Sequence, residues 1–178
     1  MLAGLVAAAD EAVDDAAAAV AAAGHACSVV DVRGLRAALG RLVHGDPSGD
    51  PPREAAYLVV FGADAASGGL KADRDPATGR TGLDDLRAVL ADGPTRGVHL
   101  IGWWRGIRRF TDDIGISGRE DVAGLVALNV NGREFGSLIG DLTLEWEPRE
   151  NRALFADRHQ DRSSLIVPFV RPGRGDEW

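Results

Sequence analysis

Three short, unbroken apolar runs constrain this chain more than any other feature: residues 55–61 (AAYLVVF), 97–104 (GVHLIGWW) and 122–130 (VAGLVALNV). Runs of this length, free of charge and rich in β-branched and aromatic residues, read as strands buried on both faces. Residues 26–32 (ACSVVDV) add a shorter one. Between them lie segments of helical period. In 33–44, Leu35, Ala38, Leu39, Leu42 and Val43 fall at i, i+3, i+4, i+7 and i+8. In 82–91, Leu83, Leu86 and Leu90 repeat the pattern behind Thr81 and Asp84, which have the spacing of a capping box. Strands alternating with helices predict an α/β fold: a mostly parallel sheet of 26–32, 55–61, 97–104 and 122–130, flanked by helices. Residues 97–104 are expected inside that sheet.

The remaining segments fill out one expected domain, 1–178, with no internal repeat or boundary. Residues 1–23 are Ala-rich and read as a helix stopped by Gly24; the chain starts inside the pattern with no N-cap, as a truncated or remodelled start would. Residues 45–53 read as a loop. Residues 62–80 are polar and Gly-rich, and 64–79 are expected to be mobile. Residues 105–111 read as a short basic helix or turn. Residues 151–156 and 163–170 read as an antiparallel hairpin, its last strand at an edge because of Pro168, with a frayed tail from Arg171.

Composition narrows the function. Net charge is −7, which argues against strong nucleic-acid binding by this chain alone, although Arg105, Arg108 and Arg109 cluster. No run approaches the ~18–20 apolar residues of a membrane span. Cys27 is the sole cysteine, which suits a reducing cytoplasm. His25 and Cys27 lack the further ligands zinc requires and read as a helix-end histidine beside a small buried thiol. His99 reads as a hydrogen-bonded core histidine. The pairs Asp14/Asp15, Asp84/Asp85 and Asp112/Asp113 read as solvated helix surfaces or starts.

A phosphate-binding loop needs glycines for backbone amides, a lysine for the β/γ-phosphates and a Ser or Thr for magnesium. No Gly-Lys pair occurs, and the one lysine, Lys71, stands in SGGLKAD with no strand directly ahead of it. No GxGxxG and no GxSxG occurs either.

Four segments, in order, resemble the FtsK/SpoIIIE family of RecA-like ring-motor ATPases: AAYLVVFGADAA, TGLDDLRAVLADGPTRGVHLIGWWRG, LVALNVNGREFGSLIGD and ENRALFADRHQDRSSLIVPFV. The resemblance covers about 55–170 and is weak over 1–44. It implies a partial RecA-like P-loop fold, with the half that holds the phosphate loop missing. It also places a degenerate nucleotide site at Gly62, Asp64, Trp104, Arg105 and Arg133. Where competent members carry Asp-Glu after the first of these strands, this chain has Phe61-Gly62-Ala63, with Asp64 shifted. The sensor position carries Trp103 and Trp104, and an aromatic ring there does not hydrogen-bond a phosphate. Arg105 and Arg133 stand where ring motors place arginines that reach a neighbouring subunit's nucleotide, against a plainer reading as solvated surface arginines.

Such replacements also resemble the accessory ATPase modules of type VII secretion. The resemblance implies no catalytic residue and no metal or cofactor of the chain's own, ATP and magnesium entering only if the site is completed in trans. It further implies a protein partner or homo-oligomer, DNA only within a larger motor, and no membrane insertion. The alternatives are an ATPase subunit completed by a P-loop partner, and an unrelated binding module with a ligand pocket at the carboxyl ends of its strands.

Overall fold

The computed structural model describes residues 2–4, 10–25, 27–44 and 56–167. The expected loop at 45–53, Pro168 and the tail from Arg171 lie outside these residues. The chain is α/β and forms two compact units, Met1–Asp121 and Val122–Trp178.

The first unit holds a parallel sheet of β1 (Leu2–Gly4), β2 (Val29–Val30), β3 (Ala56–Phe61) and β4 (Val98–Gly102), in the order β2-β1-β3-β4. Its helices are α1 (Asp10–Ala22), α2 (Val32–His44), α3 (Ala63–Ala72), α4 (Gly82–Asp92) and α5 (Ile107–Ile114). Leu58, Val60 and Val98 point from the sheet into a core with Leu35 and Leu39 of α2, Leu70 of α3, and Leu83, Leu86 and Val89 of α4. The chain steps from β1 outward to β2, then returns past β1 to β3. The carboxyl ends of β1 and β3 therefore flank the point where strand order reverses, the usual ligand crevice of an open α/β sheet.

Several expectations need correction. The single helix over 1–23 is a strand, β1, followed by a shorter helix, because three residues at the start find edge partners in Val29 and Val59 that local propensity cannot foresee. β2 is only two residues long. β4 ends the sheet order instead of lying inside it. Residues 122–130 do not join this sheet at all. The stretch 64–79 is not without secondary structure: α3 buries Ala63, Asp64, Ala66 and Leu70 on one face, and helical spacing outweighs Gly68 and Gly69. The chain then turns around Asp75, whose carboxylate accepts the backbone N–H groups of Ala77 and Thr78, each at 2.8 Å. Asp85 and Asp113 are buried, not solvated. His99 is not a core histidine. It is half-buried and stacks on Tyr57 with ring centroids 5.2 Å apart. His25 is exposed and Cys27 half-buried, and no three potential metal ligands cluster among the described residues.

The capping box is present as read: the Asp84 N–H donates to Thr81 Oγ1 at 3.2 Å, and the Thr81 N–H donates to Asp84 Oδ2 at 2.8 Å. Bonds from the Thr81 backbone and then its hydroxyl hold the Asp84 carboxyl below its ordinary range. A folded-state pKa below the unfolded value contributes stability above about pH 3.9, lost as pH falls through the lower folded value. Thr81→Ala is therefore expected to lose about 1 kcal/mol at neutral pH, and progressively less as the medium is acidified below pH ~4. Urea denaturation at both pH values checks this, and a loss of equal size at the acid end counts against the box.

The second unit is an antiparallel sheet of β5 (Gly124–Leu128), β6 (Ala153–Asp157) and β7 (Arg162–Ile166), in that order, with α6 (Gly132–Ile139). The expected hairpin is β6–β7. The expected parallel strand over 122–130 is β5, whose partner β6 follows it by 25 residues in sequence. β5 buries Ala127 while Val126 and Leu128 are exposed, so it is not covered on both faces. No described helix is long and apolar enough to cross a membrane.

Candidate functional site

The carboxyl ends of β3 and β4 are tied together by backbone. The Trp103 N–H donates to the Val60 carbonyl, and the Ala63 N–H donates to the Trp103 carbonyl, both at 2.9 Å. Between β3 and α3 the chain reverses through Gly62, whose φ of 73° lies in the left-handed region that glycine adopts without strain. That turn places Asp64 in the first turn of α3 with its side chain only 1% exposed.

Asp64 is surrounded by cations from the next strand–helix connection. Its Oδ2 accepts Arg105 Nε at 2.9 Å and Arg109 Nη1 at 3.2 Å. Its Oδ1 is buried and takes no hydrogen bond. The two guanidinium groups stay about half exposed, at 49% and 58%.

Trp104 turns away from solvent. Its ring lies over Gly102, where a Cβ would overlap it, and meets Phe110 edge-on with centroids 5.2 Å apart. Its Nε1 donates to Asp113 Oδ2 at 3.1 Å. The other Asp113 oxygen accepts the Ser67 hydroxyl in a short hydrogen bond and faces Lys71 Nζ at 3.7 Å. Two buried aspartates, one from α3 and one from α5, are thus paired with groups the fold itself provides, with Asp64 Oδ1 alone left without a hydrogen bond.

Of the residues singled out from sequence, Gly62, Asp64, Trp104 and Arg105 meet at this end of the sheet. Arg133 does not join them: it is exposed in the first turn of α6, within the second unit. There it lines an open groove of about 690 Å³ with Leu144, Trp146 and Arg149. Sequence reasoning missed Arg109, Asp113 and Ser67. The spacing Arg105–Arg109 (i, i+4) was available as a signal, but Ser67 and Asp113 are 46 residues apart and only the fold pairs them.

The arrangement is an internally neutralised anion site rather than a cradle for a phosphate. The connection after β1, residues 5–9, reads Leu-Val-Ala-Ala-Ala and offers neither glycine nor lysine. Comparison with protein-family models, curated proteins and solved structures finds no match to this chain.

Proposed function

We propose that this chain is a degenerate FtsK/SpoIIIE-like ATPase module that works as a scaffolding or regulatory part of a translocation or secretion motor, holding a partner instead of turning over ATP. One observation supports the reading above all. The acidic side chain nearest the end of β3, where such a motor would bind magnesium, is Asp64, and its Oδ2 is already taken by Arg105 and Arg109. A cation entering there must displace two guanidinium groups. The sensor position beside it holds Trp104, committed to Asp113 and Phe110.

Hydrolysis needs an amide-and-lysine cradle, a free carboxylate for magnesium, and a polar group to place water. The sequence lacks the first, and internal contacts occupy the positions of the other two. Each loss alone removes several kcal/mol of transition-state stabilisation. Calorimetric titration with ATP and magnesium is expected to give no binding heat at millimolar nucleotide, and a phosphate-release assay no turnover above background. Micromolar binding that Asp64→Ala abolishes would make Asp64 the metal carboxylate and overturn the reading.

The half-exposed Arg105 and Arg109 favour a second reading, an ATPase subunit whose site is completed by a P-loop partner. It requires turnover that begins on mixing the two chains and falls when Arg105 or Arg109 is replaced.

A further inference from the structure

A strand at a sheet edge leaves a row of backbone N–H and C=O groups open, and proteins guard such edges with charge, proline or a bulge. The antiparallel sheet has two edges, β5 and β7. β7 is guarded: it opens on the exposed Arg162, and Pro168 follows it closely in sequence. β5 is not. Its residues, Gly-Leu-Val-Ala-Leu, include no charge and no proline, and its register against β6 runs without a bulge. Gly124, Val126 and Leu128 are exposed, Val126 at 52% and Leu128 at 37%. The hydrogen-bond phase fixes which groups are open. The Arg158 N–H donates to the Ala123 carbonyl at 3.0 Å, one step before Gly124 stands opposite Asp157. Bonded and unbonded pairs alternate along an antiparallel ladder. Leu125 and Ala127 therefore bond to β6, while Gly124, Val126 and Leu128 turn their N–H and C=O groups outward. Among the described residues, none of these three makes a backbone hydrogen bond outside the sheet.

We propose that β5 pairs antiparallel with β5 of a second copy of this chain, about a two-fold axis at Val126, so that two sheets become one. In this register Val126 stands opposite the partner's Val126, and Gly124 opposite the partner's Leu128. Every outward residue then meets an outward residue, and each pair exchanges both of its backbone bonds. A slide in either direction sends an outward residue past the end of β5. The side chains match as well. The Phe155 ring leans over Gly124, where a Cβ would come within 3.1 Å of it. The bare glycine leaves room at that place, and the partner's Leu128 enters it, against the ring. Directly opposite residues share a face, so the two valines also meet. No charge lies on the strand to be set against its own copy across the axis.

Two other occupants suit the edge less well. A strand of a different protein gains the same backbone bonds, but β5 itself supplies the leucine that fits beside its own glycine. Pairing β5 of one copy with β7 of the next generates an open-ended stack, and Arg162 guards the second edge against it. A two-fold pair closes on itself. The proposal is independent of the nucleotide reading above: it concerns the second unit alone, and its test involves no nucleotide, so either can fail without the other.

Sedimentation of the full chain from about 1 to 100 µM is expected to show monomer passing to dimer and nothing larger, as suits a small interface. Val126→Lys and Val126→Glu each set like charges opposite one another at the axis, and each should weaken the dimer about 10-fold or more. An equimolar mixture of the two variants should pair again, because Lys then faces Glu. That recovery separates a lost contact from a lost fold. A second readout needs no substitution. Amide exchange in the unaltered chain should show the N–H groups of Gly124, Val126 and Leu128 protected at high concentration and released on dilution, while Leu125 and Ala127 stay protected throughout. The proposal falls if the chain is monomeric up to about 100 µM, which leaves the edge to a strand of another protein. It falls if the dimer survives both substitutions, or if the mixture stays monomeric. Concentration-dependent protection at Ser163 and Leu165 instead, or species larger than a dimer, would move the contact to β7 and overturn it too.

Discussion

Asp85→Ala is expected to destabilise the chain by about 3 kcal/mol, at the lower end of what removing one partner of a buried ion pair costs. Asp85 lies in the first turn of α4 with its side chain 1% exposed. Its Oδ2 accepts Arg36 Nη1 from α2 at 2.6 Å, and its Oδ1 accepts Arg80 Nε from the turn before α4 at 2.8 Å. Arg80 also donates to the Asp84 carbonyl, and Arg36 Nε faces Asp73 at 3.3 Å. One carboxylate thus fastens α2, the turn after α3 and the start of α4. In the alanine variant Arg80 can swing to water, because it is 36% exposed. Arg36 is 18% exposed and is left largely buried beside a void. Its exposed partner, Asp73, is a weak substitute. The contrast with Asp84, one residue earlier and half exposed, is informative: loss of its cap is worth only about 1 kcal/mol. A second variant, Asp85→Leu with Arg36→Leu, removes both charges and is expected to recover much of the loss, because no buried charge remains. Urea unfolding midpoints decide the matter. A loss under about 1 kcal/mol for Asp85→Ala would show that the hub is solvated.

The hub also marks where sequence reading stops. Thr81 and Asp84 were legible because a capping box is a local device, read from three residues of spacing. α2 and α4 were legible from their period, and β3 from its unbroken apolar run. Asp85 looked like the second of two surface carboxylates, and nothing local distinguishes it. Its burial depends on Arg36, 49 residues away, arriving on another helix. The same holds for Asp113 with Ser67 and for Asp64 with Arg105. β1 was hidden because alanine favours helix where no tertiary partner intervenes, and its partners are the edges of β2 and β3. The misplacement of residues 122–130 has a different cause. An apolar run gives a strand but not its sheet, and both a parallel core and an antiparallel meander accept one. Of the candidate site, Gly62, Asp64, Trp104 and Arg105 followed from the family resemblance, and the fold brings these four together. Arg133 belongs to a different unit, a separation that linear order does not reveal.

Gly136→Ala is expected to unfold the second unit while the first stays folded. Gly136 is the centre of α6, and a Cβ there would fall well inside contact distance of the Asp141 carbonyl oxygen and 3.3 Å from Leu144 Cβ. The obstacle is backbone, held by its own local bonds. Asp141 Oδ1 accepts the Thr143 N–H at 3.0 Å and the Thr143 hydroxyl at 2.7 Å, while the Gly132 N–H donates to the Trp146 carbonyl at 2.9 Å. Residues 141–146 therefore cannot drift away without breaking the turn that positions Trp146, whose Nε1 donates to the Val130 carbonyl at 3.0 Å. Overpacking of this kind costs about 1–3 kcal/mol, and more where backbone must move. Alanine's better helix propensity returns at most about 1 kcal/mol. A unit this small draws on few buried side chains, chiefly Ala127, Phe135, Leu138, Ala153, Leu154 and Ala156. Its stability is expected to be only a few kcal/mol, so a loss of about 3 kcal/mol suffices to unfold it. The first unit has its own core, built from α2, α3, α4 and the parallel sheet, and shares none of those residues. Amide exchange followed by NMR should show protection lost across 124–166 in the variant and retained at Leu58, Val60 and Val89. Uniform loss of protection across both units would mean that they unfold as one, and unchanged protection of β5 and β6 would mean that the 141–146 turn yields to the added methyl.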